Sequence, residues 1–171
     1  MYNKNLKLVL TALTIGLAIW QMIEGYIGNG IMLILLAGIF VFLYFKNEII
    51  LLSFFNLRKQ NFEGAQKWLN KIKNPESALV TKQQGYYNYL KGIMLAQTNI
   101  TQAEKHLKKA VKLGLSMDHD LAMAKLNLAG FALSKRRKRE AQTLLTEAKK
   151  LDKHGMLKEQ ISILKQQMKR I

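Results

Sequence analysis

The sequence predicts an all-α chain in three parts. Residues 1–46 form a two-helix transmembrane hairpin, 47–154 form three helix pairs stacked as a short α-solenoid, and 155–171 form an amphipathic capping helix. Three observations carry this reading. First, a triplet recurs: Ala65, Leu69 and Ile72 reappear 38 residues later as Ala103, Leu107 and Ala110, and again as Ala141, Leu145 and Ala148. Leu52, Leu90 and Leu128 keep the same step, 13 residues upstream of each alanine. A fixed period of this size is the mark of stacked supersecondary units. Second, the stretch from Leu8 to Phe45 holds no Lys or Arg and one acid, Glu24, while the formal net charge of the chain is +16. Third, Pro75 is the single proline in 171 residues, which suits a mostly helical chain because proline breaks helices.

In chain order, Leu6 to Ile23 is an apolar run interrupted by Lys7 and Gln21. Glu24 to Gly30 follows with three glycines and an Asn29-Gly30 pair, which favours a tight turn. Ile31 to Phe45 is a second apolar run, closed by Lys46-Asn47-Glu48. A spanning helix needs about 20 apolar residues. The first run meets this if it extends to Ile27, the second if it starts inside the turn or continues past Lys46. Trp20, Tyr26 and Tyr44 sit near the run ends, where amphipathic rings favour the interface. The competing reading is a cleaved signal peptide followed by a buried core helix. A cleavable signal needs a small-x-small site after its apolar region, and Ile19-Trp20-Gln21-Met22 does not provide one. Lys4 and Lys7 stand at the start of the first run, Lys46, Arg58 and Lys59 follow the second, and the connecting turn carries no basic residue. That asymmetry places both termini, and the solenoid, in the cytoplasm.

The first pair opens with Glu48 to Lys59, carrying Ile49, Leu52, Phe54 and Phe55, with no breaker separating it from Phe45. Asn61 is a candidate cap for Phe62 to Lys73, which Asn74-Pro75-Glu76 stops. The second pair has a helix from about Lys82 to Gln97, a turn at Thr98-Asn99, a capping box in Thr101 and Glu104, and a stop at Gly114. The third opens after Met117-Asp118-His119-Asp120, runs to about Ser134, turns through Lys135 to Arg139, and ends near Lys153-His154-Gly155. The last helix, Met156 to Ile171, sets Leu157, Ile161, Leu164, Met168 and Ile171 on one face and Lys158, Gln160, Lys165, Gln166 and Lys169 on the other. One apolar stripe with a polar back suits a helix beyond which nothing stacks.

These positions resemble the tetratricopeptide repeat (TPR) family over about residues 48–153. Tyr87, Leu90, Ala103, Leu107 and Ala110 match its pattern in the middle copy, Leu128, Ala129, Ala141, Leu145 and Ala148 in the third, and Leu52, Ser53, Ala65, Leu69 and Ile72 in the first. The departures are a period of 38 rather than 34, Lys91 at a small-residue position with Gly92 one place late, and a terminal proline present only as Pro75. The resemblance implies a peptide groove lined by the first helix of each pair, here Asn88, Gly92, Leu95, Met123, Asn127 and Gly130. Leu95 and Met123 suit inter-repeat packing equally well. The Lys and Asn clamp with which some TPR domains hold a C-terminal carboxylate is not supported, since Asn88 is followed by Gly92, Leu126 and Gly130 at its places. A partner with apolar side chains fits better.

Chemistry is sparse. The absence of cysteine excludes disulfides, zinc–thiolate sites and cysteine nucleophiles. His106, His119 and His154 are scattered, and no H-E-x-x-H pair, phosphate loop or nucleophile elbow occurs. Asp118-His119-Asp120 reads as a helix cap before it reads as a metal site. No catalytic residue, cofactor or metal is expected, and the chain is read as a non-enzyme. The densest charge cluster is Lys135, Arg136, Arg137, Lys138 and Arg139. It is either a solvated turn or a contact for anionic lipid headgroups. Nucleic acid is the weaker reading, because no aromatic residues interleave with the run. The expected function is a membrane-anchored adaptor that binds a protein or peptide partner at the cytoplasmic face. The alternative is a structural or assembly subunit of a membrane complex that contacts its partners through the hairpin, with Gly16, Gly28 and Gly38 as close-packing points.

Overall fold

The computed structural model describes residues 4–170. Ten α-helices and no strand are present among them. They are α1 (Lys4–Ile23), α2 (Ile27–Phe45), α3 (Glu48–Arg58), α4 (Phe62–Leu69), α5 (Pro75–Ala78), α6 (Thr81–Leu95), α7 (Ile100–Leu113), α8 (Asp118–Ser134), α9 (Lys138–Leu151) and α10 (Lys158–Lys169). Two compact units divide the chain, one ending at Gln83 and one beginning at Gln84.

In the first unit α1 and α2 form an antiparallel hairpin. Both are long and apolar enough to span a membrane. Their 20 and 19 residues, at about 1.5 Å each, match the roughly 30 Å thickness of a hydrocarbon core. The buried positions are small: Thr11 and Ala18 on α1, Gly30 and Ala37 on α2. A Cβ added at Gly30 would approach the Ala18 carbonyl oxygen to 3.2 Å. Close approach therefore occurs at Gly30, whereas Gly16, Gly28 and Gly38 have open space around them and face outward. The large side chains also point out, with Leu13 59% and Met32 68% exposed.

The hairpin turn is tighter than its three glycines suggest. It occupies only Glu24 to Tyr26, and the Asn29-Gly30 pair lies inside α2. Gly25, at φ +89°, makes the reversal: its N–H bonds the Met22 carbonyl at 3.2 Å and the Tyr26 N–H bonds that of Gln21 at 2.9 Å. This is a helix C-terminus closed by a left-handed glycine. At the other end, the expected continuation of α2 into α3 does not occur. Lys46 is extended at φ −122° and ψ 92°, and the Asn47 side chain accepts a bond from the Ile49 N–H at 3.0 Å, starting a new helix. An asparagine cap is the breaker that the apolar pattern concealed. Helix α4 then ends at Leu69 rather than Lys73, and the short α5 follows Asn74 with Pro75 in its first turn.

In the second unit α6 and α7, and α8 and α9, form antiparallel pairs. Asn88 meets His106, and Gly92 lies against Leu107. Lys125 meets Glu147 and Lys153 meets Asp118. Helix α7 packs on α8, and α10 packs on both α8 and α9. The core under α10 joins Ala122, Leu126 and Ala129 of α8, Leu145 and Ala148 of α9, and Leu157 and Ile161. A second cluster joins Ala132, Leu133 and Ala141, with Leu164 and Met168 over it. Ile171, assigned by the sequence to this same face, lies outside the described residues. Every member of the recurring triplet is buried in all three copies, none more than 3% exposed. Leu90 and Leu128 are buried with them, but Leu52 is 39% exposed. Its neighbour Ser53 is buried instead.

The period reaches the turns. Gln60 and Arg136, two periods apart, both take left-handed φ, at +59° and +57°. In both turns the next N–H reaches back five residues, Asn61 to the Asn56 carbonyl at 3.0 Å and Arg137 to that of Ala132 at 2.8 Å. The middle equivalent, Thr98, is not among the positive-φ residues, in keeping with the resistance of a β-branched side chain to that conformation. One residue later, Asn61 and Asn99 cap α4 and α7 by accepting from the Gly64 and Gln102 N–H groups at 2.8 and 3.0 Å. Asn99 therefore holds the place expected of Thr101, which is exposed. Met117, without a side-chain bond, precedes α8, so Asp118 sits in its first turn rather than capping it.

Candidate functional surfaces

The six groove residues fall into different environments. Asn88 is buried, with its amide nitrogen given to the Gln84 carbonyl at 2.8 Å and its oxygen facing His106 Nδ1 at 2.9 Å. Because the amide oxygen can only accept, the imidazole donates from Nδ1. Gly92 forms the seam of α6 and α7: a Cβ there would stand 2.6 Å from Leu107 Cγ. It supplies the small surface that Lys91 cannot. Met123 packs against the core under α10, and Gly130 lies near Leu164 of that helix. Leu95 is half-buried, and half-buried Asn127 donates to the Met123 carbonyl at 2.8 Å. Asn88 and Gly92 are thus engaged in packing, while Leu95 and Asn127 retain accessible surface.

The basic run also divides. Glu104, nearly buried on α7, accepts from Lys108 at 2.8 Å, Lys135 at 2.7 Å and Arg137 at 2.6 Å. Arg137 also holds Glu140 at 2.7 Å. Burial alone would raise the Glu104 pKa, but the hydrogen bonds from these three cations outweigh it and hold the carboxyl down at about 2. The bond that Arg137 donates to Glu104 chiefly raises its pKa, and the one that Lys108 donates to the same carboxylate does so for Lys108. Two members of the cluster therefore fasten the turn to α7. Arg136, Lys138 and Arg139 are exposed and form no ion pair among the described residues.

Asp118 and Asp120 diverge rather than converge. Asp118 pairs with Lys153 at 2.7 Å, while buried Asp120 accepts from the Tyr86 hydroxyl at 2.9 Å. Burial, then the bond and charge of Asp120, raise Tyr86 to about 12. No group of three His, Cys, Asp or Glu side chains is gathered for a metal among the described residues. Burial, reinforced by Lys91, Lys105 and Lys109, lowers the pKa of His106 and favours neutral imidazole.

Two features were not singled out in the sequence. Lys7 donates to the Leu43 carbonyl at 3.0 Å and pairs with Glu48, so one amine ties α1, the last turn of α2 and the first turn of α3. The Gln83 amide serves the adjacent Tyr44 carbonyl at 2.8 Å. A lone lysine inside an apolar run, 41 residues before the acid that opens α3, is the available signal for the first. The second feature is the outer face of α3, where Leu51, Leu52 and Phe55 are exposed.

The chain matches no family model, no curated protein and no solved structure.

Proposed function

We propose that this chain is a non-catalytic, membrane-anchored adaptor whose TPR-like helix pairs bind a protein or peptide partner at the cytoplasmic face. The observation that carries the reading is the contrast between its parts. The N-terminal hairpin packs on small residues and turns its large apolar side chains outward. The pairs that follow turn the same residue types inward at a 38-residue step. Only the first arrangement suits a lipid solvent, in which apolar side chains gain nothing by being hidden. Support for the TPR-like reading comes from the buried triplet, the repeated turn and cap geometry, and the cover that α10 gives to α8 and α9. Tethering raises the effective concentration of a partner at the membrane without any reactive group.

Co-purification of the full chain from its native membranes tests the groove. Leu95→Glu and Asn127→Glu are expected to lose the partner, while Gln142→Glu, on the exposed side of α9, keeps it. Equal recovery in all three overturns the groove assignment. The second reading, a structural subunit acting through its hairpin, draws on Gly16, Gly28 and Gly38. The hairpin's own packing leaves these open to a neighbouring helix. Exchange of α1 and α2 for an unrelated hairpin separates the two: retained recruitment supports the adaptor, and lost recruitment supports the subunit.

A further inference from the structure

We infer that α3 is an interfacial helix, whose outward stripe lies in the headgroup region of an anionic phospholipid bilayer while its other side packs on α4. The inference rests on the proposed membrane hairpin. Leu51, Leu52 and Phe55 are 52, 39 and 56% exposed. Arg58 and Lys59, also exposed, continue their helical stripe one turn further. The stripe is therefore apolar for two turns and basic at its end. Lys59 lies over the Phe55 ring at 4.5 Å and Arg58 over Phe54 at 5.5 Å, so the cations sit at the border of the apolar surface. Apolar surface of this kind is costly in water and is the side presented by helices that lie about 5–10 Å into the headgroup–acyl boundary.

Three observations select lipid as the occupant. Lys46 and Asn47 alone separate α3 from the end of α2, and Lys7 holds its first turn there through Glu48 and the Leu43 carbonyl. The helix thus starts at the level where the apolar hairpin ends. Arg58 and Lys59 complement phosphate, as basic residues beside an anionic leaflet do. The opposite side is already committed: α3 packs on α4, and Ile50 and Ser53 of α3 are buried, as are Ala65 and Leu69 of α4. This assignment also explains why Leu52 is exposed where its periodic equivalents Leu90 and Leu128 are buried.

The chain has no cysteine, so single replacements report one site each. Full chain carrying Leu51→Cys, Phe55→Cys, Leu35→Cys or Gln142→Cys is labelled with an environment-sensitive fluorophore. Each is placed in vesicles of phosphatidylcholine, with or without phosphatidylglycerol, that carry nitroxide lipids. Sites 51 and 55 are expected to be quenched by shallow nitroxides, site 35 by deep ones, and site 142 by neither. Adding Arg58→Gln and Lys59→Gln should reduce quenching at 55 only where phosphatidylglycerol is present. Quenching at 35 with 55 behaving like 142 overturns the inference and leaves the membrane hairpin standing. Absence of quenching at 35 overturns the hairpin and the inference together. A site 55 that is unquenched but forms disulfides with a second copy makes the stripe a dimer contact, which also overturns it. The same loss in both lipids removes the headgroup assignment.

Discussion

At the scale of single residues, Glu104 is the pivot of the second unit. Its carboxylate is bonded by Lys108, Lys135 and Arg137, so its folded pKa of about 2 lies below the unfolded value of about 4.3. A depressed carboxyl contributes stability that is complete above the unfolded value and is lost as pH falls toward the folded one. Glu104→Gln is therefore expected to cost about 2 kcal/mol near neutral pH, the scale of lost charge-assisted bonds, and to flatten the acid limb between about pH 4 and 2. Urea midpoints measured down that range check both effects. His106 has the same sign for a different reason. Its neutral form is favoured in the fold, so stability is full above the free value of about 6.5 and declines as pH falls below it. His106→Gln keeps a donor for the Asn88 oxygen and should remove that decline; an unchanged pH profile would place its origin elsewhere.

At the scale of elements, the seams between paired helices carry the periodic signal and hold their shape through small residues. Gly92 allows Leu107 to lie against α6, and Leu107 is fully buried. Gly92→Ala is expected to destabilise by about 1–3 kcal/mol, the usual cost of overpacking, despite the better helix propensity of alanine. In α3 the reverse holds: the Ser53 hydroxyl is buried and unpartnered. Ser53→Ala should raise stability by about 1 kcal/mol, because burying a hydroxyl without a bond is penalised. Thermal melts of the two variants should therefore move in opposite directions. The alanine and leucine positions were legible in the sequence because burial acts on each residue at a fixed step. Asn61 was legible as a cap, but Asn47 and Asn99 were harder to read, since a cap depends on which backbone N–H is left free, and helix ends are not periodic in hydrophobicity. Asn29-Gly30 misled for the same reason: a turn-forming pair becomes helical once Gly25 has already reversed the chain and a close helix crossing uses Gly30. The division of the basic run was not legible, because whether Lys135 or Arg136 is engaged depends on Glu104, some 31 residues away from the former.

At the scale of the whole chain, charge and hydropathy separate cleanly, and that separation fixes the last prediction. Lys7, Lys46, Arg58 and Lys59 all belong to one end of the hairpin, and the turn at Glu24 to Tyr26 carries an acid and no base. An even number of spans returns the chain to the side on which it began, and basic flanks are retained in the cytoplasm. The strongly basic segment after Phe45 would add to the same bias, because an anionic cytoplasmic leaflet attracts basic residues. Tyr26, exposed in the turn, should therefore face the opposite side of the membrane from Gln142 on α9. In intact cells an impermeant maleimide is expected to modify Tyr26→Cys at once and Gln142→Cys only after permeabilisation. The inverse pattern would put the helix pairs outside. Labelling of both sites without permeabilisation would mean that the hairpin does not cross, and that its exposed apolar shell is covered by something other than lipid.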